Sequence, residues 1–499
     1  MTSAKITPKP YHQTILKCAV VSRLLLLTLI LLWRTLVTPY DTSAPLNPDC
    51  LSHSPQQQQV IWPSLASALE SSIVWDGVYF VRIAQCGYEY EQSYAFLPLL
   101  PLCISMLSRT VFAPLVSVIG QRAVLALSGY VINNIAFVLS AVYFYRLSVI
   151  ILKDPEAALR ASILFCFNPA SIFYSSVYSE SLYALLSVGG LYHLISGKNS
   201  ISVLWLALSG SARSNGVLNA GYVCFQTMHL TYVALLRKRA FLAMQVVASG
   251  ALRCICIFAP FIAFQAYGYY NICLGHLPDK MRPWCKAQVP LLYNYIQSYY
   301  WGVGFLRYFQ LKQLPNFLLA SPILSLAVSS VVYYAKSAPE KFFSLGFRSS
   351  IEDKSSAAVF FSLDANLRSS DGHVKVNSSP NIKDNLDLRP NKQMVKAEVP
   401  SFLPEQYEGP AMRGYSTVFV LPFILHLGFM AATAFFVMHV QVATRFLSSS
   451  PPLYWFASYL MKTRGSGSNR RSWGYTIWAY SAAYILLGSL LFSNFYPFT

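Results

Sequence analysis

The sequence predicts an all-α, multi-pass transmembrane helical bundle, and three observations predict it. Of 499 residues, 55% are hydrophobic and only 12% are charged, against about 25% charged in soluble domains. The mean hydropathy is +0.42 over the whole length, which requires many apolar segments rather than one anchor. The apolar runs extend for about twenty residues, the length at which a helix crosses the hydrocarbon layer, and do not alternate over about ten residues as membrane β-strands do. Backbone groups in lipid must be bonded internally, so such runs fold as helices.

The formal net charge is +18. In a soluble chain that balance points to nucleic acid. In a membrane chain Lys and Arg collect in cytosolic loops, so no nucleic-acid partner is expected. Eight histidines and ten cysteines show neither metal-ligand spacing nor a CxxC, and no metal site is expected. Cys50 and Cys86 fall in one expected luminal loop, and Cys273 and Cys285 in another. An oxidising lumen permits a disulfide in either.

The first span covers residues 16–37, interrupted by Arg23 and Arg34. Its purely apolar part is short enough to suggest a signal peptide, but without a small-residue cleavage site it reads as a retained anchor. The basic N-terminus then places a loop at about 39–94 in the lumen. That loop opens with Pro-, Ser- and Gln-rich sequence, which argues against packing. Order returns near Val60. The stretch WDGVYFVRIAQCGYEYE, residues 75–91, reads as an interfacial helix ended by Gly87. Asp76 and Arg82, six positions apart, should point in different directions.

Further spans are expected at about 95–112, 123–150, 158–176, 180–196, 200–222, 223–236, 242–267 and 316–335. Arg237-Lys238-Arg239 marks the cytosol, and residues 268–302 form a second luminal loop. Residues 337–413 lose apolar density and read as a hydrophilic, disordered insertion carrying the sequon Asn377-Ser378-Ser379. Residues 414–499 hold the last spans, near 416–440 and 475–493, with a short one around 452–460. The total is about eleven to thirteen apolar segments on the length criterion.

Charges inside a membrane chain are expensive and therefore functional by default. Four groups stand out. The first is Trp75-Asp76 with Arg82, Glu89 and Glu91. The second is FNPASIFYSSVYSESLYALL, with Asn168 and Glu180 in apolar sequence and Pro169 positioned to break a helix. The third is SGSARSNGVLNAGY, with Arg213 and Asn215. The fourth is VATRFLSSSPPLYWF, with Arg445. A carboxylate suits general-base work, and an arginine fork suits a phosphate leaving group. Beside these stand plainer readings: Glu89 and Glu91 as solvated loop charges, Asn168 and Asp76 as helix caps, and Arg213 and Arg445 as snorkelling side chains. There is no P-loop, GxGxxG or nucleophile elbow.

WDGVYFVRIAQCGYEYEQSYAFLPLLP, FNPASIFYSSVYSESLYALLS, ARSNGVLNAGY, YIQSYYWGVGFLRYF and TRFLSSSPPLYWF together resemble, in order and across most of the chain, the PIG-V family, the second mannosyltransferase of glycosylphosphatidylinositol (GPI) anchor assembly. Residues 337–413 depart from that pattern. The resemblance implies a GT-C type core in residues 1–336 and a multi-pass enzyme of the endoplasmic reticulum membrane. It implies dolichyl phosphate mannose as donor, the first mannose of the GPI precursor as acceptor, an inverting α-1,6 transfer without cofactor or metal, and a small accessory membrane subunit. In that setting Asp76 is the expected base and Arg82 or Arg213 the holder of the departing phosphate. Glu180, Asn168 and Asn215 would orient sugar hydroxyls, with Trp75, Glu89 and Glu91 as further substrate contacts. The competing readings are a non-catalytic subunit of GPI assembly or attachment, and a lipid transporter. A transporter is disfavoured because the broken segment at Asn168-Pro169 has no repeat.

Overall fold

The computed structural model describes residues 11–40, 50–51, 60–274, 281–363, 414–462, 471–496 and 498, and every regular element among them is helical. In chain order the α-helices are α1 (His12–Leu36), α2 (Pro63–Ser71), α3 (Asp76–Cys86), α4 (Leu99–Arg109), α5 (Val116–Ile119), α6 (Gln121–Leu152), α7 (Pro155–Cys166), α8 (Ser171–Ser175), α9 (Glu180–Ile195), α10 (Asn199–Ala212), α11 (Ala220–Leu236), α12 (Ala240–Cys273), α13 (Leu292–Trp301), α14 (Leu314–Ser337), α15 (Pro339–Phe343), α16 (Ile351–Ser356), α17 (Ala358–Phe361), α18 (Leu421–Phe436), α19 (Ala443–Leu447), α20 (Pro451–Lys462) and α21 (Arg471–Ser493). The long helix α6 is the central column, with α1, α4, α7 and α9 packed on it.

Six helices among the described residues are long and apolar enough to cross a membrane: His12–Leu36, Gln121–Leu152, Ala240–Cys273, Leu311–Ser337, Val418–Phe436 and Trp473–Ser493. A seventh span arises if Leu99–Arg109 and Ala113–Ile119, bent by 73°, count as one. This is fewer than the number of apolar segments in the sequence, and the reason is burial. Helix α9 is hydrophobic nearly all round because it is buried inside the bundle, between α6 and α10. Its apolarity records protein contact as much as lipid contact.

Two expected continuous spans are broken. The segment at 158–176 divides at Phe167, where Asn168 accepts from the Ala170 N–H at 2.9 Å and donates to the Phe165 carbonyl at 2.8 Å. Arg23, buried in α1, donates to the Cys166 and Ser171 carbonyls on either side of that break and lies 3.7 Å over the Phe137 ring. A charged group in the first span thus bonds a carbonyl at the end of α7 and one at the start of α8, while Asn168 takes the Phe165 carbonyl whose helical partner Pro169 cannot supply. The segment at 200–222 divides at Arg213, whose extended backbone (φ −148°) leads into a 3₁₀ turn, Ser214–Asn219. A Cβ at Gly216 would fall 2.3 Å from the Ser209 carbonyl, so the turn packs on α10 only with glycine there.

The first part of the hydrophilic segment is also structured. Helices α15, α16 and α17 lie within residues 339–361, and α17 packs on α11. Gln226 and His229 of α11 reach the Val359 and Leu345 carbonyls at 2.8 and 2.9 Å. Polar groups on the apolar α11 find these partners in a segment whose composition concealed them. Asn377 lies outside the described residues.

Candidate active site

Asp76 is the first residue of α3, and the residue before it sets its aim. Trp75 holds φ at +52°, a conformation that costs a non-glycine residue about 1–3 kcal/mol and persists only when its surroundings enforce it. The indole Nε1 donates to the Phe492 carbonyl at 3.1 Å and the ring packs against Phe495. The turn from Trp75 into α3 is therefore fixed by the C-terminal end of the chain. The Asp76 N–H donates to the Tyr178 hydroxyl at 3.0 Å.

Arg445 of α19 donates through Nη1 to Asp76 Oδ2 at 2.8 Å. The same nitrogen lies 3.9 Å from Glu180 Oε1, and its guanidinium faces the Phe173 and Tyr178 rings at 5.4 and 5.6 Å. Glu180, at the N-terminus of α9 and 2% exposed, is ion-paired with Arg213. Two carboxylates and two arginines from four separate helices or helix ends thus form one neutral quartet. Burial would lower the Arg445 pKa, but Asp76 and Glu180 outweigh it and push it above its ordinary value. The cation is locked in its charged state. One oxygen of the quartet, Glu180 Oε2, is buried without a hydrogen-bond partner.

Asp76, Arg213 and Arg445 line a cavity of about 530 Å³, a size that suits a small ligand or the head of a larger one. Trp75, Tyr178, Asn215, Tyr293 and His439 share the lining. Asn215 is 5% exposed, and neither its amide oxygen nor its amide nitrogen has a partner. Buried amides are ordinarily bonded, and an exception calls for an explanation; here a ligand would supply the missing partners. Tyr293 of α13 bonds Ser214 at 2.8 Å and ties the cavity lining after α10 to the segment that follows α12.

The remaining candidates serve the walls. Arg82 turns to Glu89, with Nη2–Oε2 at 2.8 Å and Nε–Oε2 at 3.0 Å, rather than into the cavity. Glu89 is 9% exposed in its side chain and also accepts from the Leu51 N–H. Glu91 is 10% exposed and accepts from Trp284 and Tyr300, each at 2.7 Å, and from Arg282. Both acids are therefore enclosed in ion pairs, not solvated. Burial raises the Glu91 pKa, but the bonds from Arg282, Tyr300 and Trp284 prevail and hold it below its ordinary value. Disulfides Cys50–Cys86 and Cys273–Cys285 close the two loops that Glu91 joins. Asn168 is fully buried at the α7–α8 break and does not line the cavity.

Sequence position gave little reason to choose Arg445. It lies 369 residues from Asp76, and a snorkelling role explained it equally well. The signal that existed was an arginine in apolar sequence shortly before a Pro-Pro pair. Tyr178 and Tyr293 carried none, being two of thirty-three tyrosines.

Comparison with known proteins adds a family. A family model described as Mannosyltransferase (PIG-V) matches residues 12–499. GPI alpha-1,6-mannosyltransferase 2 of Mus musculus is 30% identical over 479 residues, an alignment covering 91% of this chain and 85% of that protein. The Homo sapiens protein of the same name is 29% identical with the same coverage. GPI mannosyltransferase 2 of Drosophila melanogaster is 27% identical, over 85% of this chain and 86% of its own. Among solved structures, an Archaeoglobus fulgidus oligosaccharyltransferase with a tethered acceptor peptide aligns with a TM-score of 0.43 and 11% identity, over 98% of this chain and 55% of that one.

Proposed function

The chain belongs to the mannosyltransferase (PIG-V) family, and from that premise we propose that it adds the second mannose to the GPI anchor precursor. The donor is dolichyl phosphate mannose, the acceptor is the first mannose of the precursor, and the new bond is α-1,6. The enzyme works from the lumen of the endoplasmic reticulum membrane within a GT-C type bundle. The observation that carries this reading is the Asp76–Arg445 pair at the cavity wall, with Arg213 and Glu180 beside it.

The chemistry follows from those groups. The donor is β-linked and the product α-linked, so one inverting displacement suffices. Asp76 takes the proton from the acceptor 6-hydroxyl as that oxygen attacks the anomeric carbon. The bond from that carbon to the phosphate oxygen breaks, and its electron pair leaves with dolichyl phosphate. Arg445 and Arg213 are the cations that meet the growing charge, because an arginine fork binds two phosphate oxygens at once. An incoming phosphate competes with Asp76 and Glu180 for the same guanidinium, which frees the base as the donor seats. Asn215 gains sugar hydroxyls as partners, whereas Glu180, 2% exposed and outside the cavity lining, holds Arg213 in place rather than meeting the sugar. Trp75 positions the base rather than the sugar. Arg82, Glu89 and Glu91 hold the luminal loops in register around the cavity.

The test is transfer by purified protein from dolichyl phosphate mannose to a one-mannose precursor, with chelator present and a small accessory membrane subunit supplied in a parallel reaction. A two-mannose product that resists chelator is expected. Asp76→Asn keeps the size of the side chain and the backbone bond to Tyr178, which limits the stability lost with the Arg445 ion pair, and its folding is checked by thermal unfolding. The variant should lose about 10²–10⁴ in rate. Near-normal transfer by folded Asp76→Asn protein removes Asp76 as the base.

A further inference from the structure

A second cavity, of about 780 Å³, lies away from the quartet and is lined by Lys153, Asp154, Arg160, Ser416, Thr417 and Lys462. Its position follows from α6. At one level of that helix, Tyr130 and Asn133 bond the Ser72 and Ser176 carbonyls, close in sequence to Asp76 and Tyr178. The second cavity begins at Leu152, the last residue of α6. Nineteen residues separate Asn133 from Leu152, about 28 Å of helix, close to the thickness of the hydrocarbon layer. The two cavities are thus separated along α6 by about the thickness of the hydrocarbon layer.

The lining is basic and incompletely bonded. The Asp154 carboxylate is engaged: Oδ1 accepts the Glu156 and Ala157 N–H groups at the start of α7, and Oδ2 accepts Lys462 at 2.8 Å. Arg160 is not engaged in the same way. Its Nε and Nη2 are buried with no acceptor, and its Nη1 lies 3.7 Å from the exposed Glu156. Thr417 is 6% exposed, and its hydroxyl is buried without a partner. Lys153 ends α6 in the left-handed region, φ +52°, where glycine would sit without strain. Donors desolvated without acceptors are unfavourable, and they point to what is missing. A ligand that accepts several hydrogen bonds and carries negative charge would satisfy Arg160 and Thr417 together, with the exposed Lys153 at the cavity edge adding charge.

We propose that this cavity binds a phosphate group, carried either by the headgroup of an anionic phospholipid in the leaflet opposite the active site or by a soluble phosphate compound. Phosphate offers the planar pairs of acceptor oxygens that a guanidinium matches, and a hydroxyl such as that of Thr417 completes its coordination. The site is independent of the transfer reaction, so its failure would leave the proposed function untouched.

The experiment measures thermal unfolding of the full-length protein in nanodiscs. One arm adds inorganic phosphate to phosphatidylcholine discs, against chloride at equal ionic strength. The other compares discs of phosphatidylcholine alone with discs that also contain phosphatidylinositol. The melting temperature is expected to rise in at least one arm, and the responding arm identifies the source of the phosphate. Arg160→Gln should raise the half-effective concentration about tenfold or more, and Thr417→Val should weaken the response in the same arm. Arg160→Lys, which keeps the charge, should retain part of it. Arg109→Gln, on exposed α4 sequence outside both cavities, should respond as wild type does. No response in either arm, or a response unchanged in Arg160→Gln and Thr417→Val, overturns the proposal.

Discussion

Replacing Arg445 with glutamine tests the centre of the site most sharply. The arginine lies 2.8 Å from Asp76 and 3.9 Å from Glu180, with 17% of its side chain exposed. The quartet of Asp76, Glu180, Arg213 and Arg445 is neutral, so Arg445→Gln leaves one excess negative charge in the cavity that must receive a phosphate. At the effective dielectric of a partly buried site, a unit charge about 4 Å away is worth about 4 kcal/mol. Loss of a positioned donor to developing negative charge costs about 2.7–4 kcal/mol in other enzymes. At about 1.36 kcal/mol per factor of ten, the transfer rate should fall about 10²–10³-fold. Arg445→Lys restores the charge without the fork and should fall between wild type and Arg445→Gln. The assay is mannose transfer at saturating acceptor, with thermal unfolding measured in parallel. Removing one partner of a buried pair is itself destabilising by up to about 3–5 kcal/mol, although the 33% exposure of the Asp76 side chain moderates this. The double substitution Asp76→Asn/Arg445→Gln separates the two effects, because it returns the cavity to neutrality. Its melting temperature should recover toward wild type while its transfer stays low. Folded Arg445→Gln protein that transfers within about tenfold of wild type would refute the electrostatic argument.

Two further outcomes follow from groups around the quartet. Asn215→Ala removes an amide that has no partner in the unliganded cavity, so stability should not fall. The value of kcat/KM should drop about tenfold from the loss of a hydrogen bond to substrate, and a lower melting temperature with unchanged kinetics would show the amide to be structural. Glu91 has its pKa held below the ordinary 4.5, so its bonds to Arg282, Tyr300 and Trp284 contribute stability in full above about pH 4.5. That contribution is lost as pH falls through the depressed value. Wild-type protein should therefore melt at progressively lower temperature on acidification below about pH 4.5, while Glu91→Gln should melt lower near neutrality and change less across that window. Parallel acid profiles for the two proteins would contradict this account.

Much of the fold was legible because the bilayer imposes one rule on sequence. A long apolar run must be helical, and the runs beginning in α1, α6, α12, α14, α18 and α21 are spans for that reason. Composition could not separate a helix buried in lipid from one buried in protein, since both are apolar. That is why α9 and α10 read as spans although they are only 16 and 14 residues long. Asp76 was legible as well: a carboxylate after tryptophan, at the start of a helix in an aromatic loop, is chemically conspicuous.

What the chain alone determined, then, is its class, its family and the residue types available for chemistry. Which charges meet was decided by tertiary structure. Asp76 takes Arg445 rather than the nearby Arg82, because α3 carries Arg82 round to Glu89 while the packed bundle brings α19 to the start of α3. Glu91 binds Arg282 across 191 positions of sequence, joining two loops that composition describes only as polar. Periodicity fixes which face of a helix a side chain occupies. The partner across the gap depends on how helices distant in sequence are packed, and no local pattern records that.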